Sequence, residues 1–261
     1  MTSIISQILH NKRQEVANLE KKLPMSELME MERVNPLISF HDFLARPGVQ
    51  IIAEIKPKSP SLGELKKDFD LMGFVKAYEK NGAAAISVLT DEMYFGGSLD
   101  ILKQVKSNTQ LPVLRKDFII TEYQVWESYV AGADAILLIA DALPLDRLIS
   151  LHDLAEDLGL AVLVEIYEQN HAHLFQSFNP NIAGVNARNL HTLQTDLDRC
   201  LTMVDLLPKK SIKVAESGIS SREDIIKIAH TGFDAALVGS SLMSAPDPGK
   251  KLAELTSRAE A

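Results

Sequence analysis

The segment Ala131-Gly132-Ala133-Asp134-Ala135-Ile136 decides the fold, because it recurs. Asn81-Gly82-Ala83-Ala84-Ala85-Ile86 and Thr231-Gly232-Phe233-Asp234-Ala235-Ala236 repeat its form: a Gly ends a helical pattern and, three residues later, an apolar run begins. Asn179 holds the equivalent place before another run, so the marks stand 50, 47 and 53 residues apart. Gly or Asn is what a left-handed helix C-cap requires, and a period near fifty residues spans two strand-helix units.

Short runs rich in Val, Ile, Ala and Leu begin near Ile51, Ala84, Pro112, Ala135, Ala161, Ile182, Ile212 and Ala235, 21 to 33 residues apart. They read as buried strands, with helical patterns between them over 71–80, 99–106, 122–130, 145–158, 169–175, 196–206, 222–230 and 248–258. Eight alternating units predict an α/β fold, a single (β/α)8 TIM barrel over 51–261. Residues 1–50 fall outside the repeat. Ser3 as N-cap, with Ile5, Ile8, Leu9, Val16 and Leu19 at helical spacing, predicts an N-terminal helical extension packed on the barrel and no separate domain.

Composition narrows the function classes. Of 261 residues 46% are hydrophobic and 24% charged, ordinary globular usage. The net charge of −8 offers no basic field for a polyphosphate backbone, so no nucleic-acid partner is expected. Cys200 is the sole cysteine, and charges at Lys12, Arg13, Glu15, Glu20, Lys21 and Lys22 interrupt any secretory-type apolar stretch. A cytoplasmic protein is expected. The longest clean apolar run, Ala135 to Ala140, is far short of the ~20 residues of a spanning helix, so no membrane partner is expected either.

Polar residues then stand where a core strand should not have them. Side chains alternate, so Ile51, Ala53 and Ile55 share the face that meets the helices, and Glu54 and Lys56 point into the barrel at the strand's C-terminal end. Barrel enzymes place their chemistry at that end. Lys116, Glu165, Asn186 with Arg188, and Glu216 occupy the same station on later runs. Lys56, Lys116 and Arg188 oppose Glu54, Glu165 and Glu216, a charge-balanced ring suited to a small anionic ligand. Such a ring at successive strand ends indicates an active site in preference to structural ion pairs.

Two glycine turns follow the last strands, Ser217-Gly218 and Gly239-Ser240. Loops after strands 7 and 8 often bind phosphate, and glycine lets backbone N–H groups approach it. The loop from Lys56 to Gly63 is long and reads as a substrate cover with Lys58 and Ser59 as donors. His171 and His173 lie near a helix start, away from strand ends, so no metal site is assigned. Tyr94 and Phe95 are either rim packing or an aromatic shelf.

These motifs together resemble the indole-3-glycerol phosphate synthase family of tryptophan and aromatic amino acid biosynthesis. The resemblance rests on Ile51 to Lys56 running into Lys58-Ser59-Pro60-Ser61, Ser87 to Glu92 with Tyr94-Phe95, and Arg115-Lys116-Asp117-Phe118. Gly184-Val185-Asn186 with Arg188 and Leu190, Glu216-Ser217-Gly218-Ile219, and Gly239-Ser240-Ser241 complete it. It implies a carboxy-lyase, a decarboxylase that closes the indole ring of 1-(2-carboxyphenylamino)-1-deoxyribulose 5-phosphate with loss of carbon dioxide and water, without cofactor or metal. By the resemblance Lys116 is the general acid and Glu165 the acid/base partner of the dehydration. Lys56, with Ser59 and Arg188, holds the substrate carboxylate or neighbouring oxygens, with proton transfer by Lys56 also open. Glu54 orients Lys116, Asn186 fixes a ribulose hydroxyl, and Phe95 packs on the aromatic ring. Lys56, Glu54 and Asn186 count with the catalytic residues. Glu216 joins the catalytic set, and Ser217, Gly218, Gly239 and Ser240 receive the phosphate.

The expected partner is that phosphorylated small molecule, with transient contact to neighbouring pathway enzymes. A fused isomerase barrel, carried by some members, is not expected. The family pattern usually has a second Asn and an Asp where this chain has Ala187 and Asn189, and Gly where it has Asn179. From the residues alone, another sugar-phosphate barrel enzyme, such as a phosphoribosyl isomerase, and a non-catalytic phosphometabolite-binding barrel stay open. The first does not need the Lys-Ser-Pro-Ser loop, and the second does not need Lys116 or Glu165.

Overall fold

The computed structural model describes residues 4–59, 63–64, 70–189 and 192–257, without the side chains of Ser59 and Glu64. Eight parallel strands close a barrel: β1 (Gln50–Ile55), β2 (Ala85–Leu89), β3 (Val113–Lys116), β4 (Ala135–Ile139), β5 (Ala161–Ile166), β6 (Ile182–Asn186), β7 (Ile212–Glu216) and β8 (Ala235–Val238). β1 completes the ring by pairing with both β2 and β8, Ile52 standing opposite Ala85 on one side and Leu237 on the other. Among the described residues no helix is long and apolar enough to cross a membrane.

Strand alternation sorts the core into two layers. Ile51, Ala53, Ile55, Val113, Val164 and Ala215 belong to the outer layer between sheet and helices. Ile52, Leu114, Leu137, Leu163, Val214 and Leu237 fill the barrel itself. Each fully buried Ile or Leu contributes about 1.5–3 kcal/mol, so a one-residue slip in register would forfeit a whole layer.

The helices start where their caps dictate. In chain order the first ten described are α1 (Ile4–Lys22), α2 (Met25–Met29), α3 (Phe40–Leu44), α4 (Leu71–Lys80), α5 (Glu92–Phe95), α6 (Leu99–Ser107), α7 (Glu122–Ala131), α8 (Leu145–Asp157), α9 (Leu197–Thr202) and α10 (Arg222–Thr231). The side chains of Asp70, Ser98, Thr121 and Ser221 each accept from the N–H three residues on and open α4, α6, α7 and α10. Each cap contributes about 1 kcal/mol. Gly82, Gly132 and Gly232 take φ of 89°, 94° and 94°, as the repeat predicts. Asn179 does not: among the described residues Leu193 and Ser217 are the positive-φ residues other than Gly. The segment before it, Gln169–Gln176, is a 3-10 helix ending at Ser177 in ordinary right-handed geometry, so no left-handed cap is needed. The pattern over 196–206 likewise splits into α9 (Leu197–Thr202) and a 3-10 turn, Val204–Leu206.

The extension grips both ends of the barrel. α1 (Ile4–Lys22) sends Ile5 and Ile8 into the inner cluster that holds Phe118 and touches Tyr94 and Phe95. Asn11 Nδ2 donates to the Tyr94 hydroxyl at 2.7 Å, so Tyr94 is rim packing. Ser3, the expected cap, lies outside the described residues. At the opposite end Phe40 and Leu44 of α3 (Phe40–Leu44) join the same cluster. Arg33 donates to the carbonyls of Tyr129, Gly132 and Ala133 and pairs with Asp134 at 3.0 Å.

Candidate active site

A cavity of about 270 Å³ opens at the C-terminal ends of the strands. Glu54, Lys56, Phe95, Lys116, Glu165, Asn186, Arg188, Ser217, Gly218, Gly239 and Ser240 line it. Glu216 lies beneath them, 1% exposed. The side chain of Ser59 is outside the described residues, and its backbone belongs to a short ribbon, Lys58–Ser59 paired with Gly63–Glu64. Lys58 Nζ donates to the Met93 carbonyl at 3.3 Å, so the loop starts by packing on the turn after β2.

The ion pairs differ from the expected orientation of Lys116 by Glu54. Glu54 Oε1 accepts from Lys56 Nζ at 2.6 Å. Lys116 Nζ instead donates to Glu165 Oε2 at 3.4 Å and stands 3.4 Å from Glu216 Oε2. The reason is geometric. Two residues apart on one strand, Glu54 and Lys56 share a face, whereas closure of the barrel brings Glu165 and Glu216 to the height of Lys116. Glu54 still acts on Lys116 through its charge.

Burial and charge set the protonation of this group. Burial would drive Lys116 down, but Glu165, Glu216 and Glu54 hold its pKa above the ordinary lysine value. Burial raises Glu54 as well, and the charges of Lys56 and Lys116 outweigh it and leave the carboxyl below the usual range. Glu216 is pushed well above that range by burial first and by the charge of Glu165 second, with Lys116 only partly offsetting them. Burial and the neighbouring carboxylate thus favour the protonated form of Glu216. Arg188, lowered by burial, gives Nη1 to the Leu193 carbonyl at 2.9 Å, and its backbone N–H bonds Asn186 Oδ1 at 2.9 Å.

Glycines make the room. A Cβ at Gly184 would stand 2.6 Å from Glu216 Oε1, so β6 must be bare there for the carboxyl to fit. Ser217 and Gly218 take φ of 67° and 77°, two left-handed residues in succession at the cavity wall, with Ser217 bearing the strain a side chain incurs there. Among the described residues, the backbone N–H groups of Gly218, Gly239 and Ser240 have no protein acceptor. Ser241 Oγ donates to the Ile219 carbonyl at 2.9 Å and ties the two turns together.

Some cavity residues escaped the sequence pattern. Phe118 lies on the wall 6.2 Å from the Phe95 ring, and its place two residues past the inward Lys116 is the signal that would find it. Asp117, also on the wall, is buried in a network that no local pattern announces. It binds Lys12 of α1 at 3.0 Å, Arg115 at 3.0 Å and the Thr90 hydroxyl at 2.6 Å, while Lys12 also pairs with Asp91 at 3.1 Å. Ala187 is buried in the outer layer, facing the helices, and Asn189 Nδ2 donates to the Tyr167 hydroxyl at 3.0 Å.

The family model described as indole-3-glycerol phosphate synthase matches residues 5–255. The chain is 42% identical over 247 residues to an indole-3-glycerol phosphate synthase of Rhodopirellula baltica, covering 94% of this chain and 95% of the relative. It is 44% identical over 248 residues to that of Chlorobium limicola, covering 93% and 95%. Among solved structures, 3-hexulose-6-phosphate synthase from Salmonella typhimurium superposes with a TM-score of 0.65 at 18% identity, covering 79% of this chain and 96% of that one, a likeness of fold.

Proposed function

Since the chain belongs to the indole-3-glycerol phosphate synthase family, we propose how its own residues divide the closure, decarboxylation and dehydration of 1-(2-carboxyphenylamino)-1-deoxyribulose 5-phosphate. The observation that carries the assignment is Lys116 Nζ standing 3.4 Å from both Glu165 and Glu216 in the barrel mouth. As the ring carbon bearing the carboxylate attacks the ribulose ketone, the carbonyl oxygen gains charge and takes the Lys116 proton. An alkoxide is a stronger base than an amine, so the transfer runs downhill even from a lysine held above its ordinary pKa. Carbon dioxide leaves from the same ring carbon and its bonding pair restores the ring. Glu165 then protonates the departing hydroxyl as water and, with Glu216 beside it, receives the proton lost when the indole double bond forms.

Binding follows the charge distribution. Lys56 and Arg188 face the substrate carboxylate, with Glu54 holding Lys56 in place through their 2.6 Å bond. Asn186 takes a ribulose hydroxyl, and Phe95 with Phe118 lies along the aromatic ring. The N–H groups of Gly218, Gly239 and Ser240, with the Ser217 hydroxyl, receive the phosphate, for which unpaired donors at a cavity wall are suited. Ser59 belongs with Lys56 in this assignment. The same reading carries a cytoplasmic location and transient contact with neighbouring pathway enzymes.

The test is turnover of the carboxyphenylamino substrate by the purified protein, followed by indole fluorescence and carbon dioxide release. Turnover by the wild type and its loss in Lys116→Met, with the fold intact by circular dichroism, is the expected result. A Lys116→Met variant working at the wild-type rate would overturn the assignment.

A further inference from the structure

We propose that Arg199, on α9 outside the cavity, is a positioning residue that sets the spacing between Glu165 and Asn186 by bridging the ends of β5 and β6. The ladder between these strands runs as far as Ile166 opposite Val185. Just beyond it, Arg199 Nη1 donates to the Tyr167 carbonyl at 2.9 Å and Nη2 to the Asn186 carbonyl at 3.3 Å. One guanidinium thus spans the two strands where their own ladder ends. Its carbon lies 3.9 Å from the centre of the Tyr167 ring, so the ring fixes the plane of the fork.

The anchor points are themselves held. Tyr167 N donates to Asp141 Oδ2 at 2.8 Å, and its hydroxyl accepts from Asn189. Arg199 N donates to the cap Asp196, whose own N–H bonds the Ala187 carbonyl at 2.9 Å, so the start of α9 is stapled to the loop that follows Asn186. Tyr167 is two residues past Glu165, and Asn186 bears the bridged carbonyl directly. Loss of the bridge frees both strand ends to drift, and displacements near 1 Å cost up to about 100-fold in rate. Arginine serves best because its planar fork reaches two acceptors at once, whereas an ammonium on a flexible stem can hold one carbonyl but offers no such paired geometry.

The inference rests on the roles proposed for Glu165 and Asn186, so Glu165→Gln is measured alongside. Arg199→Met should lower kcat about 10-fold while KM and inhibition by inorganic phosphate stay within about twofold, and Arg199→Lys should recover part of the loss. Wild-type kcat in Arg199→Met overturns the proposal. So does a fall in kcat matched by an equal loss of phosphate inhibition, or unfolding of both Arg199 variants at the assay temperature, because the bridge would then hold the fold instead of the site. Wild-type turnover in Glu165→Gln would instead remove the mechanistic reading, whatever the Arg199 variants do.

Discussion

Gly239 and Glu54 occupy adjoining space so closely that a Cβ at position 239 would overlap Glu54 Oε1 and stand 2.9 Å from its carboxyl carbon. The turn assigned to phosphate and the carboxylate that holds Lys56 are therefore one packing unit. A substitution at 239 meets Glu54 before it meets any ligand.

Gly239→Ala should accordingly lower kcat as well as weaken phosphate inhibition, by about 10-fold or more in kcat/KM, because Glu54 must leave Lys56 to make room. Steady-state kinetics separate this from a pure binding defect, which raises KM and spares kcat. A variant with KM raised and kcat intact would show that Glu54 moves without consequence.

Lys116→Met should reduce kcat by roughly 100-fold or more, the usual contribution of a positioned acid, with modest change in affinity for a substrate analogue. Lys116→Arg should fail alike, since a guanidinium keeps the charge and does not release the proton. Near-wild-type turnover by the Arg variant would make Lys116 an electrostatic clamp.

Asp117 gives the acid side of the stability profile. Burial would raise its pKa, but the charges of Arg115 and Lys12 and the Thr90 hydroxyl hold it at about 2. The folded pKa lies below the unfolded value near 3.9, so its stabilisation, about 2–3 kcal/mol, is complete above that value and is lost as pH falls through about 2. Urea unfolding of the wild type between pH 5 and 2 should show this slope, and Asp117→Asn should flatten it. Equal slopes in both proteins would place the acid sensitivity elsewhere.

Glu216 works with the opposite sign. Its folded pKa is raised, so its contribution is complete below the ordinary carboxylate value near 4.3 and is lost as pH rises through the folded pKa. Glu216→Gln, which keeps the shape of the protonated acid, should match the wild type in stability near pH 4 and exceed it increasingly toward neutral pH. A stability difference that does not vary with pH would mean that Glu216 ionises as an ordinary carboxylate.

Much of this molecule is written locally in its chain. Strand positions, the inward station of Glu54, Lys116, Glu165 and Glu216, and the glycine turns at Ser217-Gly218 and Gly239 follow from alternation, capping and spacing, which depend on a few adjacent residues. Asn179 departs from its pattern for a local reason too: it stands at a cap position of the repeat, but the 3-10 segment before it has no left-handed ending.

Which charges meet was decided by the closed barrel. Lys116 lies beside Glu165 and Glu216 while Glu54 goes to Lys56, because strand register and shear bring side chains from non-adjacent strands to one height. The same closure puts Gly239 against Glu54, lets Arg199 reach the ends of two strands, and seats Lys12 between Asp91 and Asp117. Periodicity tells each residue which way to face, but only the packed structure fixes what stands opposite, since that depends on the relative heights of segments far apart in the chain.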